Sequence, residues 1–568
     1  MIKTMISVLV KFIKFRSLFL IAIIFIGVTS CEETLEEETY SSFTADNFYT
    51  DTNSAELGIM GIYDALSNRN LYAQRYLLYF QSSDLQRHWR QGRGNDDDRL
   101  SNFDIEENNG IISSVWNAFY DGIYRANSAI DKVTLLRDFA QSSGQTTDLE
   151  IYNNLLGDAY FLRAFMYFQL VKNWGDVPLR LSPNISLDNV KIERTPSVEI
   201  YNQIESDMLL AISLLPEASS IKSPARINKG AAQGILARIY LQWAGNPIND
   251  TSKYSKAAEQ AWAVVNSGQH SLNTIIEPTG IGAPYDFPFP KVYKNLAENV
   301  YDLSESMWEI HFSYPGLTTA DAGYVGTWHG VVSHTRSSFS RGAPRWYALP
   351  TFFESFEAND TLRRDWSIAR FQIDRNDNFI EPRDDLRWGV GKYRRYLMPT
   401  LSPNFNAEAM NWPIIRYADV LLILAESINE TIEAGGTLPP GVSIQTAYES
   451  INKVRRRARK LDIDSPDSSV DLSGSGGDTF RQEIRNERAW ELCFEGVRRY
   501  DLIRWGILVD ALKKAGTDLE AAGYDASQNY FPAANVQEKH NLLPIPVLAE
   551  INQNPNILNT DPTNNGYR

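Results

Sequence analysis

The stretch FRQEIRNERAWELCFEGVRRYDLIRWG, residues 480–506, sets the reading of the fold. It lies in a segment, 478–506, that is expected to be helical. Glu491 and Glu495 stand four apart, which on a helix places their β-carbons about 5–6 Å from each other. Paired carboxylates at about 5–5.5 Å suit a retaining glycosidase. However, Arg485, Arg488, Arg498, Arg499 and Arg504 crowd the same segment, and ion pairs account for both acids without catalysis. The stretch therefore reads as a structural helix.

Further helices are expected upstream. SGSGG at 473–477 is a flexible loop by composition. It separates the opening stretch from helices expected at 444–460 and at 416–430, RYADVLLILAESINE. Residues 155–178 carry apolar side chains on every side with few charges, as a buried helix does, and Gly175 and Pro178 end it. KGAAQGILARIYLQW at 229–243 has Ala232, Leu236 and Ile239 on one stripe. KYSKAAEQAWAVVNS at 253–267 places Tyr254, Ala257, Ala261 and Val264 or Val265 at steps of three and four, with Gly268 as its cap. Small residues beside aromatics suit closely packed, tetratricopeptide-like helix pairs, although no strict 34-residue period is present. Residues 268–412 differ: Gly and Pro are frequent and helical periodicity fades. The expected architecture is one mainly α body in three parts, a helical part to 267, a loop-rich insertion at 268–412 and a helical part at 413–568.

The start of the chain is of another kind. Lys3, Lys11, Lys14 and Arg16 precede the uncharged block SLFLIAIIFIGVTS, 17–30, and then Cys31. The block is shorter than the roughly 20 apolar residues of a spanning helix, and small residues end it, as in a secretory signal. Placed this way, Cys31 looks like the lipidated cysteine of a bacterial lipobox, with residues 1–30 as the signal peptide. An ordinary signal with a chance cysteine is the alternative. Five glutamates follow within seven positions, as an export signal, a solvated tether or both. Net charge is −15. Residues 1–30 hold four basic and no acidic side chains, so residues 31–568 stand at −19, which disfavours nucleic acid as a partner. If Cys31 is lipidated, Cys493 has no disulfide partner.

Catalytic and metal motifs are few. The six histidines are scattered, and no HExxH, CxxC, GxSxG or phosphate loop occurs. DRNDN at 374–378 has calcium-loop spacing at Asp374, Asn376 and Asn378, but Phe379 replaces the required glycine, so a polar turn is the better reading. No cofactor or metal is expected. Aromatics carry more. Thirteen lie between residues 281 and 350, about 19% against 12% for the chain. Trp and Tyr stack on the flat C–H faces of sugars. His88 and Trp89 sit in the polar stretch DLQRHWRQGRGNDDD (84–98), Tyr324 and Trp328 in GYVGTWHG (323–330), and Trp346 in RGAPRWY (341–347). His88, Trp89, Tyr324, Trp328 and Trp346 are the candidate ligand-binding residues, with core packing as the alternative for each tryptophan.

FLRAFMYFQLVKNWGDVPL (161–179), RINKGAAQGILARIYL (226–241), IIRYADVLLILAESINE (414–430), the opening stretch and LLPIPVLAEINQNPN (542–556) resemble the SusD/RagB family in order and spacing. WNAFYDGIYRAN (116–127) fits its early helix. The resemblance implies a SusD-like α-rich fold with four TPR-like units and no catalysis. It also implies a surface lipoprotein of the outer membrane, anchored through Cys31, that captures nutrient, usually glycan, and caps a SusC-like TonB-dependent barrel. A surface glycoside hydrolase and a peptide-capturing relative of the same fold remain as alternatives. The loops where ligand would bind carry no shared signature.

Overall fold

Asp51 caps a helix, α1 (Thr52–Ser67), through a reciprocal capping box with Ser54. It is followed by α2 (Gly110–Ser142), α3 (Thr146–Trp174), α4 (Ser197–Leu214), α5 (Lys229–Ala244) and α6 (Lys253–Ser267). The expected buried helix is α3, and Leu155 through Leu162 and Phe165 through Trp174 are sealed along it, apart from a few positions. Gly268, at φ +65°, closes α6 in the left-handed region, as expected from the sequence. Neighbouring helices pack in sequence: α2 on α3, α3 on α4, α5 on α6. Small residues make the approach possible. A Cβ at Gly122 of α2 would collide with the thioether of Met166 on α3.

The computed structural model describes residues 48–92, 94–183, 190–276, 287–313, 322–399, 401 and 406–568. Residues Asp51–Arg568 form one compact unit, distinct from Met1–Thr50. Cys31 and the segment around it lie outside the described residues. Among the described residues no helix is long and apolar enough to cross a membrane.

Between α6 and residue 412 the chain is not all loop. The helix Phe289–Glu298 buries Val292, Tyr293 and Leu296. Its ten residues are too short a span for periodicity to stand out beside Pro288 and Pro290. Eight short strands lie among the described residues; besides the hairpin Gln372–Ile373 with Phe379–Ile380, six are β1 (Gln86–His88), β2 (Ser306–Ile310), β3 (Trp346–Ala348), β4 (Ile368–Ala369), β5 (Gly389–Val390) and β6 (Trp412–Arg416). They pair antiparallel as a four-stranded sheet in the order β1-β3-β5-β4 and as the pair β2-β6. DRNDN forms the expected polar turn: Asp374 accepts from the backbone N–H of Asn376 and Asn378, while Asp377 binds Ser337 and Ser338.

The C-terminal helices are α7 (Tyr417–Glu433), α8 (Ile444–Ala458), α9 (Asp478–Leu492), α10 (Arg498–Arg504) and α11 (Leu508–Ala521). The single helix expected over 478–506 is therefore broken. Phe494 at φ +65° and Gly496 at φ +76° turn the chain between α9 and α10. The last residues return to the first helices. Leu543 N–H donates to Asn173 O, and the Trp174 indole donates to Pro544 O at 3.0 Å. Cys493 is free and buried.

Candidate functional site

The acidic pair of the opening stretch belongs to the core. Because α9 ends at Leu492, Glu491 and Glu495 do not share a helix face. Their side chains are 0% and 6% exposed. Glu491 binds Arg457 at 2.6 Å and both Arg416 and Arg363 at 3.1 Å; Glu495 binds Lys392 at 2.6 Å and Arg416 at 2.8 Å. Glu305 closes the lattice on Arg416 and Arg457. Ion pairing was expected, but the partners come from elsewhere in the chain. Of the arginines in the same segment, Arg488 and Arg504 bind Asp501, Arg488 also binds Asp419, and Arg498 binds Asp84. Burial raises the Glu491 carboxyl, and Arg457, Arg416 and Arg363 outweigh it, so its pKa is lowered. A carboxylate pair sealed and neutralised in this way is closed to a polysaccharide.

The aromatic candidates meet around the four-stranded sheet. His88 of β1 lies opposite Trp346 of β3, with ring centroids 5.2 Å apart. Alternation along a strand sends neighbouring side chains to opposite faces. Trp346 therefore points inward, fully buried, and its indole N–H donates to Leu78 O at 2.7 Å. Arg345 and Tyr347 point the other way and are half-buried. Trp346 is thus a core residue and offers no stacking face. His88 is also fully buried, with Nδ1 3.1 Å from Arg90 O, and it reaches no sugar hydroxyl from there. Burial, ahead of the other causes, holds its pKa down to about 3.

Trp89, Trp328 and Tyr324 are arranged differently. The Trp89 backbone N–H donates to Arg345 O at 2.8 Å, which extends the strand pairing by one residue. The Arg345 guanidinium lies 3.9 Å from the Trp328 ring centroid and 4.7 Å from that of Trp89, so it bridges the two indoles. Arg90, exposed, lies 4.3 Å from the Trp89 ring. Trp89 and Tyr324 are half-buried, and Arg69 lies 5.8 Å from the Tyr324 ring. Trp328 is only 8% exposed. The glycines around it serve close packing rather than an open loop: a Cβ at Gly330 would meet the carbonyls of Gly326 and Tyr393. Of the five candidates, Trp89 and Tyr324 remain partly accessible, Trp328 is nearly sealed, and His88 and Trp346 are interior.

Sequence reasoning missed Arg345. Its signal is the period-2 pattern of RWYA: if Trp346 fills the core, Arg345 and Tyr347 face outward. Burial, the largest influence, pushes the Arg345 pKa down, while a hydrogen bond with Tyr79 counters it.

A family model described as "SusD family" matches residues 373–567, and one described as "Starch-binding associating with outer membrane" matches residues 32–241. With the helical architecture above, these matches place the chain in the SusD/RagB family. Its relatives include SusD-like protein P25 of Formosa agariphila, 26% identical over 98% of this chain and 100% of that protein. SusD-like protein P2 of the same organism is 27% identical over 96% and 98%. The solved structure of a SusD homolog from Bacteroides thetaiotaomicron superposes with a TM-score of 0.80 at 28% identity, covering 92% of this chain and 98% of that one.

Proposed function

We propose that the protein binds glycan at the outer surface of the outer membrane and delivers it to a SusC-like TonB-dependent transporter, anchored by lipid on Cys31. One observation carries the binding site: Arg345 sits between the rings of Trp89 and Trp328, and Trp89 keeps a partly open face beside exposed Arg90. Such a ring stacks on the apolar face of a sugar while guanidinium N–H groups donate to its hydroxyls. Tyr324 adds a second partly open ring. The family description of starch binding and outer-membrane association supports the same reading. The sealed Glu491/Glu495 pair favours binding over hydrolysis.

The test is calorimetry against the polysaccharide selected from a panel of soluble glycans and peptides. Trp89→Ala should weaken binding by about 1–3 kcal/mol, the scale of a stacking anchor at a hot spot. Unchanged affinity in Trp89→Ala and Tyr324→Ala together would refute this location. Membrane fractionation of Cys31→Ala, expected to be soluble, tests the anchor. Crosslinked recovery of a SusC-like barrel tests the partner, since a stable complex needs roughly 1,200–2,000 Å² of buried surface.

A further inference from the structure

Directly behind Trp89 lies a group of side chains that the glycan reading does not use. His88 at the end of β1, and Asp97 and Asp98 in the short helix Asp96–Ser101, each offer one ligand atom, all within 4.8 Å of one another. Two of the three residues are interior, His88 at 0% and Asp98 at 1% exposure. The buried Asp98 Oδ1 accepts no hydrogen bond among the described residues, and it lies 3.5 Å from His88 Nδ1. The Arg90 carbonyl is 3.1 Å from the same nitrogen. Nδ1–H donates to that carbonyl, and the Asp98 oxygen beside the ring is left without a hydrogen-bond donor among the described residues. A lone carboxylate oxygen buried without a donor is costly. A cation among these atoms removes that cost.

We propose that His88, Asp97 and Asp98 form a divalent transition-metal site, suited to Zn²⁺, which braces the chain that presents Trp89. Geometry supports the choice of metal. Ligands about 2.0–2.2 Å from a tetrahedral zinc stand about 3.3–3.6 Å from each other, the spacing of His88 Nδ1 and Asp98 Oδ1. One imidazole and two carboxylates make a mixed set that suits zinc. Calcium prefers six to eight oxygens. Loading moves the ring proton from Nδ1, where it is donated to the Arg90 carbonyl, to Nε2; that carbonyl keeps the Asn102 amide as a donor. The competitor is Arg90, whose guanidinium lies 3.7 Å from Asp98 Oδ2. Arg87 and Arg345 add positive charge around His88. The metal therefore binds in competition with arginine and is expected to be exchangeable.

The consequence for ligand capture rests on the glycan reading above. His88 and Trp89 are adjacent, so a metal tying His88 to Asp97 and Asp98 fixes the segment between them, on which Trp89 and Arg90 stand.

Untagged protein stripped with EDTA and dialysed against ZnCl₂, MnCl₂ or CaCl₂ should retain about one zinc per chain by elemental analysis, and less calcium. Asp98→Asn and Asp97→Asn should each weaken zinc binding at least tenfold by calorimetry, and Arg90→Gln should strengthen it. Asp97 is half-buried, so Asp97→Asn keeps the test sound if Asp98→Asn folds poorly. Absence of stoichiometric zinc in the wild type, or unchanged zinc affinity in Asp97→Asn, overturns the proposal. One zinc per chain in a protein that binds no glycan upholds the site and tells against the glycan reading alone.

Discussion

Arginine builds two regions of this molecule in opposite ways. Around α9, guanidiniums meet carboxylates: Arg363, Arg416 and Arg457 converge on Glu491, with Glu305, Glu487 and Glu495 completing the lattice, all of it buried. Beside the four-stranded sheet, guanidiniums meet rings: Arg345 bridges Trp89 and Trp328, Arg341 lies 5.7 Å from Trp328, and Arg69 approaches Tyr324. In the first region charge cancels charge and the geometry is closed. In the second, cations rest on π-faces and keep donors in reserve. Arg416 and Arg457 also lie over Tyr293 and Phe289, so what sets the second region apart is that its ring-bound arginines sit beside partly open faces, as Trp89 does.

The sharpest way to break this contrast is to remove a hub of the lattice. Glu491→Gln leaves three buried guanidiniums short of a partner, and breaking a buried pair from one side typically costs about 3–5 kcal/mol. Chemical denaturation should show a loss of that order. A loss below about 1 kcal/mol would mean that the lattice is not the scaffold described.

Acid titration comes next. Burial raises the Asp419 carboxyl, but Arg238 and Arg488 overcome it and bring the pKa to about 2, against 3.8 unperturbed. For Glu426, burial is outweighed by Arg504, then Arg488 and Trp505, again to about 2, against 4.5. Folded values below unfolded ones stabilise the protein fully above the unfolded pKa. This contribution should fade as pH falls from about 4.5 towards 2, by a few kcal/mol between the two groups. Denaturation at stepped pH measures it, and Glu426→Gln should flatten the slope.

A smaller effect separates the two tryptophans. Trp346→Phe strands the Leu78 carbonyl and should cost about 1–3 kcal/mol of stability. Trp89→Ala, on the other side of the contrast, should cost less than about 1 kcal/mol. Equal losses would return Trp89 to the core.

The helices were legible because their signal is local. Apolar steps of three and four, and Gly268 after α6, each act within a turn or two of chain. The family was legible through the same segments. The lattice was only half legible: the sequence set Glu491 among arginines, yet its partners Arg363, Arg416 and Arg457 lie 128, 75 and 34 residues away. The glycine-rich surroundings of Trp328 misled because glycine serves both exposed turns and tight packing, and only the neighbouring backbone distinguishes them. Trp346 was legible in principle, since strand alternation opposes it to Arg345, but three residues are too few for that pattern to stand out.

The strand that carries His88 is held by residues from far along the chain. Arg87 donates to Asn529 O across 442 residues, Tyr530 donates to Ser83 O across 447, and Arg498 pairs with Asp84 across 414. Contacts of such range form late, because the loop between them must close first. A chain emerging from its N-terminal end can build its first helical hairpins early, but it has no finished aromatic surface until residues near 530 arrive. Incompletely folded or C-terminally clipped molecules would thus lack the surface proposed to bind ligand, and that surface would appear only with the completion of folding.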